Sequence, residues 1–152
     1  MSNIEQKYQQ ALDYLYSFVD YSLTRQLRYS PEKFNLARMF KLMKLMGDPH
    51  KKYPVVHIAG TKGKGSTAAM VASILGAAGY KAGFYSSPHL QDFTERIQVH
   101  GEPISREKLV ERVDQIRPLV AQVPEITTFE ITTAIAFMEF YKKQVDVAVV
   151  EV

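Results

Sequence analysis

Val55-Val56-His57-Ile58-Ala59-Gly60-Thr61-Lys62-Gly63-Lys64-Gly65-Ser66-Thr67 is the stretch on which the reading of this chain turns. The first five residues, apolar and largely β-branched, predict a short buried strand. Three glycines in the next six positions let the backbone turn tightly and bring its N–H groups onto an anion. Ser66 to Ala78 are small and apolar and predict a helix, stopped by Gly79. That helix would point its positive end at the same turn. In such a strand–turn–helix unit Lys64 reaches the β- and γ-phosphates of a nucleotide, and the Ser66 or Thr67 hydroxyl ligates or positions Mg²⁺. The spacing departs from G-x-x-x-x-G-K-[ST], because position 58 is Ile and Gly65 separates Lys64 from Ser66. A glycine-rich turn with surface lysines is the plainer reading. The order of strand, glycines, lysine, hydroxyls and helix favours phosphate binding over it.

Outward from this unit, strands alternate with helices. Ala82 to Ser86 is the next strand candidate, Arg96 to His100 a weaker one, and Val145 to Val152 the strongest. Ser105 can cap a helix through Val120, which Pro118 should kink or end early. A further helix is predicted from about Phe129 to Lys143, with Thr128 as its cap. This alternation predicts an α/β fold: a parallel sheet of the phosphate-loop type, helices on both faces, right-handed crossovers. Before it, residues 1–50 read as helical. Ile4, Tyr8, Ala11, Leu12, Leu15 and Val19 share one helix face, and Ser30-Pro31-Glu32 opens a second helix that Gly47 stops. Phe34, Ala37, Phe40, Met43 and Met46 form its apolar stripe, read as core filler. Residues 1–152 are read as the N-terminal part of an ATP-binding phosphate-loop domain, with 1–50 helical and 54–152 as its alternating β/α part.

Parallel strands end on one rim, so Gly60, Ser86 and Glu151 should meet there. A carboxylate at the end of a buried strand, facing a phosphate loop, holds Mg²⁺ directly or through water. An exposed terminal acid describes Glu151 equally well. Ser87-Pro88-His89-Leu90 leaves the second strand on the same rim. Pro88 keeps Ser87 extended and presents its hydroxyl, although Ser-Pro is also an ordinary turn. Glu95-Arg96 reads as a surface ion pair of little worth, His57 as a core-strand histidine and His100 as a surface one. Phe129 and Glu130 offer an aromatic face beside an acid, as a flat heterocycle would need. Capping and core packing explain Thr127, Thr128, Phe129 and Glu130 without one.

Composition narrows the function classes. The net charge is +3, from 19 basic and 16 acidic residues scattered along the chain. That field suits small anionic ligands and lacks the concentrated basic face a nucleic acid requires. No cysteine is present, which removes disulfides, zinc–thiolate sites and thiol catalysis and agrees with a reducing compartment. Met1 to Gln10 is polar, and the longest apolar run, Val147 to Val150, is far too short to cross a bilayer. A soluble cytoplasmic protein with no membrane partner is expected. Because the most apolar strand, expected to be central, comes last, the chain is also expected to be the N-terminal part of a longer protein.

Gly60 to Ser66, Ser87-Pro88-His89-Leu90, Glu95-Arg96-Ile97, Thr128-Phe129-Glu130 and Val150-Glu151-Val152 occur in an order that resembles folylpolyglutamate synthases and dihydrofolate synthases. These are Mur-type ATP-dependent amide ligases, and the resemblance runs from about Tyr14 to the end. It implies ATP and Mg²⁺ as cofactors. It implies a reaction in which ATP phosphorylates the carboxylate of dihydropteroate or a folate, and the amine of L-glutamate attacks the acyl phosphate to form an amide. Lys64 and Glu151 would be catalytic, and Gly60, Thr61, Lys62, Gly63, Lys64, Gly65, Ser66 and Thr67 would hold ATP. That family has Asn or Lys at position 62. Ser87 and Glu151 would ligate Mg²⁺ beside the Thr67 hydroxyl. Ser87, Pro88, His89 and Thr127 to Glu130 would contact the pterin substrate, with Glu32 to Asn35 a second contact region. Members of the family are longer and carry a closing C-terminal domain, a glycine-rich stretch after the Glu151 position, a further Mg²⁺-binding His and a carbamoylated Lys. This sequence has no counterpart of these. A monomer is expected at full length, and no ligase turnover from the 152 residues alone. Another phosphate-loop enzyme, or a non-catalytic nucleotide-binding module, is the alternative.

Overall fold

The computed structural model describes residues 3–18 and 36–152. The helices are α1 (Asn3–Tyr16), α2 (Ala37–Leu45), α3 (Lys64–Ala77), α4 (Arg106–Val120) and α5 (Thr128–Lys142). The strands are β1 (Val55–Ile58), β2 (Ala82–Tyr85), β3 (Ile97–Val99), β4 (Glu102–Pro103) and β5 (Val147–Glu151). They form one sheet in the order β1-β5-β2-β3-β4. β1, β5 and β2 are parallel, as the β/α alternation predicts. β3 and β4 are antiparallel, so the sheet is mixed. The reversal sits at His100 and Gly101, both at positive φ, a pair suited to a tight hairpin.

β5 is the central strand, with Ala148 and Val149 fully buried. β1 departs from the expected buried strand. Among the described residues it lies at the sheet edge, paired with β5 alone, leaving Val55 43% and Val56 37% exposed. His57 is likewise exposed rather than in the core. α3 covers one face, its small residues allowing close approach, with Ala68 fully buried. α5 covers the other. There Phe140 lies over Gly83, where a Cβ would come within 2.7 Å of the ring. α1, α2 and α4 pack around α5 and close the core with Leu15, Leu42, Leu109 and Ile116.

Several local expectations shift. α4 runs through Pro118 to Val120: the proline removes the N–H that would reach the Asp114 carbonyl, and burial of Ile116 and Val120 on the core side outweighs that loss. The cap of α5 is Thr127, one residue before the predicted Thr128. The buried face of α2 follows Met39, Leu42, Met43 and Met46, which turns Phe40 outward at 66% exposure. Val19, the Ser30-Pro31-Glu32 helix start, Phe34 and the Glu32 to Asn35 contact region lie outside the described residues.

Candidate nucleotide-phosphate site

Strand register brings the predicted residues to one rim. Ile58 pairs with Glu151 across β1 and β5, and Tyr85 pairs with Val150 across β2 and β5. The next backbone bond continues the row, Val152 N–H donating to the Ile58 carbonyl at 3.0 Å. The loop after β1, the end of β5 and the turn after β2 therefore leave the sheet side by side.

The loop from Gly60 to Gly63 feeds directly into α3, which starts at Lys64, two residues earlier than predicted. Gly63 is its N-cap, at φ 75°, a left-handed conformation that glycine adopts without steric cost. Among the described residues no side chain caps this helix end, and its first turn holds no acid. α4 and α5, by contrast, are capped by the Ser105 and Thr127 hydroxyls. An uncapped helix start leaves backbone N–H groups pointing outward, and a lysine there opposes the helix dipole. A bound anion would satisfy both the amides and the charge. The Lys64 stem folds back over Gly60, whose Cβ would lie 3.7 Å from Lys64 Cγ. Thr61 and Lys62 are exposed, as is Ser66. The Thr67 hydroxyl donates to the Gly63 carbonyl at 2.8 Å, closing the first turn of its own helix.

Glu151 is 8% exposed, which overturns the exposed-acid reading. A Cβ on Gly65 would stand 3.4 Å from Glu151 Oε2 and 3.7 Å from Oε1, so the carboxylate packs directly on the bare face of Gly65. Loop and acid share one site. Among the described residues no three His, Cys, Asp or Glu side chains cluster as a closed metal cage. A single carboxylate beside a phosphate loop is nevertheless the donor set Mg²⁺ uses, its remaining positions filled by water and substrate phosphates.

The second rim element is the turn from Ser86 to Arg96, with a cis Ser87–Pro88 peptide. Glu95 and Arg96 are not paired with each other. The Glu95 carboxylate accepts N–H bonds from Leu90 (2.8 Å), Gln91 (3.1 Å) and Asp92 (3.0 Å). The amides of Leu90 and Asp92 hold its carboxyl below the ordinary glutamate value. Arg96 Nε donates to His89 Nδ1 at 2.9 Å. Asp92 caps the short 3-10 turn Phe93–Arg96 and accepts from Tyr8 Oη and Arg106, both at 2.6 Å. Burial opposes ionisation of Asp92, but the bonds from Tyr8, the Thr94 amide and Arg106 outweigh it and keep its carboxyl well below the usual range. Asp92-Phe93-Thr94-Glu95 spells a capping box, a signal legible in the sequence and missed there.

The stretch Thr127 to Glu130 opens α5 as a capping box, in which Glu130 accepts from the Thr127 amide and hydroxyl, both at 2.9 Å. The same carboxylate pairs with Arg38 at 3.3 Å, a partner that sequence reading did not find. Thr128 donates to the Leu15 carbonyl and is buried, while Phe129 is 44% exposed. The Tyr85 hydroxyl lies 3.2 Å from Thr133 Oγ1, which sets the opening turns of α5 at the rim end of β2.

No protein-family profile matches the chain. It is 43% identical over 130 residues to a dihydrofolate synthase/folylpolyglutamate synthase of Mycobacterium tuberculosis, covering 78% of this chain and 27% of that protein. A solved M. tuberculosis folylpolyglutamate synthase complexed with ADP superposes over 99% of this chain at TM-score 0.87 and 38% identity. The chain belongs to the folylpolyglutamate synthase/dihydrofolate synthase family. An FPGS–AMPPCP–folate complex is similar as well, at TM-score 0.84 and 34% identity over 95% of the chain. The chain spans 33% of the first of these structures and 35% of the second. Its mixed sheet with flanking helices is the fold of that part of the family.

Proposed function

We propose that this chain is the ATP-phosphate-binding part of a cytoplasmic, ATP-dependent ligase that adds L-glutamate to dihydropteroate or a folate. The packing of the Glu151 carboxylate against Gly65 carries this reading, since it joins the phosphate loop and a metal-binding acid in one site. Likeness to synthases solved with ADP, and with AMPPCP and folate, supports the substrate class.

The free amides at Gly63 to Ser66 and the Lys64 ammonium receive the β- and γ-phosphates. Glu151 holds Mg²⁺, with the Ser87 and Thr67 hydroxyls as further ligands. When bound, the ion offsets charge on the phosphoryl group being transferred. Lys64 stabilises the same charge and keeps the γ-phosphorus in line with the substrate carboxylate. The carboxylate oxygen bonds to that phosphorus as the bond to ADP breaks. The glutamate amine then displaces phosphate from the acyl phosphate and loses a proton, leaving an amide. Ser87, Pro88, His89 and the Thr127–Glu130 turn line the acceptor side, with Phe129 as its aromatic surface. Glu130 reaches a ligand only by sharing its carboxylate with the cap and with Arg38. A further part of the same protein supplies the glutamate site, so the chain alone binds nucleotide without ligase turnover.

Calorimetric titration of the chain with AMPPCP, with and without Mg²⁺, tests this. Binding should require Mg²⁺ and weaken at least tenfold in Glu151→Gln, about the worth of one charge-assisted contact. Equal affinity in the two proteins would remove the shared site.

A further inference from the structure

The turn after β2 is shaped by residues with no place in the scheme above. Resting on that scheme, we infer that Glu95 is a positioning residue of the site: with Arg96 it holds Ser87 to Leu90 in one shape on the phosphate-loop rim before any ligand arrives.

Burial anchors only the far end of this turn, where Phe93 enters the core at 2% exposure and Thr94 is buried. Leu90 is 93% exposed and Pro88 is exposed, so Ser87 to Leu90 contribute almost nothing to the core. Hydrogen bonds hold it instead. The Ser86 amide donates to the Arg96 carbonyl at 3.1 Å and pinches the two ends together. Within the closed turn the Glu95 carboxylate gathers the three consecutive amides of Leu90, Gln91 and Asp92. Turn amides of this kind are ordinarily left to water. Here a charged acceptor takes all three, at roughly twice the strength of a neutral one. Because Glu95 is occupied by backbone, Arg96 is released to its other neighbours. It donates to His89 Nδ1 at 2.9 Å and lies over the Phe93 ring, 5.0 Å from its centre. A His nitrogen that accepts from arginine carries no proton, so the His89 proton sits on Nε2, and the ring offers the rim a hydrogen-bond donor. At the far end Asp92 is tied to α1 through Tyr8 and to α4 through Arg106. Two acids and an arginine are thus committed to a turn whose Ser87 to Leu90 part the core does not use. Fixing the Ser87 hydroxyl and the His89 ring gives that commitment a purpose.

Amide hydrogen exchange of the whole chain by NMR, on wild type and Glu95→Ala, tests the assignment, with Glu95→Gln as a same-size variant should the alanine protein fail to fold. The Leu90, Gln91 and Asp92 amides should exchange about tenfold faster or more in the variants, the effect of losing about 1.4 kcal/mol of hydrogen bonding. Amides of α3 and α5 should keep their protection. AMPPCP titrations should then need more Mg²⁺ for half-maximal binding while the affinity at saturating Mg²⁺ stays unchanged, whereas a purely structural role would move both or neither. Unchanged turn amides, or an equal loss of protection across the chain, would overturn the inference. Absence of AMPPCP binding by wild type would instead remove the functional reading, leaving the exchange data to judge Glu95.

Discussion

The loop after β1 and the turn after β2 stand on the same rim and are built in opposite ways. The Gly60–Gly65 loop leaves its helix uncapped and places a lysine at the positive end of α3. The Ser86–Arg96 turn satisfies its own amides with Glu95 and Asp92 and anchors itself to α1 and α4. The first is electrostatically incomplete until an anion arrives. The second is complete on its own. Under the proposed function the two are complementary, since free donors supply phosphate binding and fixed ones supply geometry.

The largest expected effect attacks the incomplete element. Lys64→Ala should weaken AMPPCP binding to the chain by about a hundredfold, within the range for hydrogen bonds to charged groups, as measured by calorimetry. An unchanged affinity would erase the contrast between loop and turn. A middle-sized effect probes the self-satisfied element by pH. The Asp92 carboxyl is depressed in the folded chain, so its stabilisation is fully present above the ordinary aspartate pKa near 4 and drains away as pH falls below it. Asp92→Asn should lower the melting temperature at pH 7 by the equivalent of about 1 kcal/mol and flatten the acid limb between pH 4 and 2. An acid limb as steep as wild type would show that the turn does not draw on that charge. The smallest effect has the reverse sign. Without nucleotide, Lys64→Ala should stabilise the chain by a few tenths of a kcal/mol, because a cation leaves the positive end of α3. Thermal melts of the ligand-free protein would detect it, and destabilisation there would mean that Lys64 has a structural partner.

Much of this was legible in the residue order. The glycine spacing from Gly60 to Gly65 marked the bend between β1 and α3, and the Val147–Val150 run marked the central strand, because backbone freedom and apolar runs are local properties. Reading failed where a neighbour decides. Val55 and Val56 look like buried-strand residues, yet burial depends on what flanks β1 in the sheet. Glu95 and Arg96 look like an ion pair because they are adjacent, but adjacent residues in an extended or turning chain point apart, and the loop fold hands each a different partner. Pro118 was expected to cut α4 short, and tertiary packing of its last turn outweighed one absent hydrogen bond.

By itself, the sequence determined the α/β alternation, the glycine-rich loop between β1 and α3 and the family, all of which rest on local spacing and chemical type. Tertiary structure alone decided that the Glu151 carboxylate meets Gly65, that Asp92 binds Tyr8 from 84 residues away, and that Arg112 and Glu139 form an ion pair, 4% and 2% exposed, between α4 and α5. The physical reason is common to these. A charged side chain is settled by whichever group desolvates with it, and that group is chosen by the path of the chain through space.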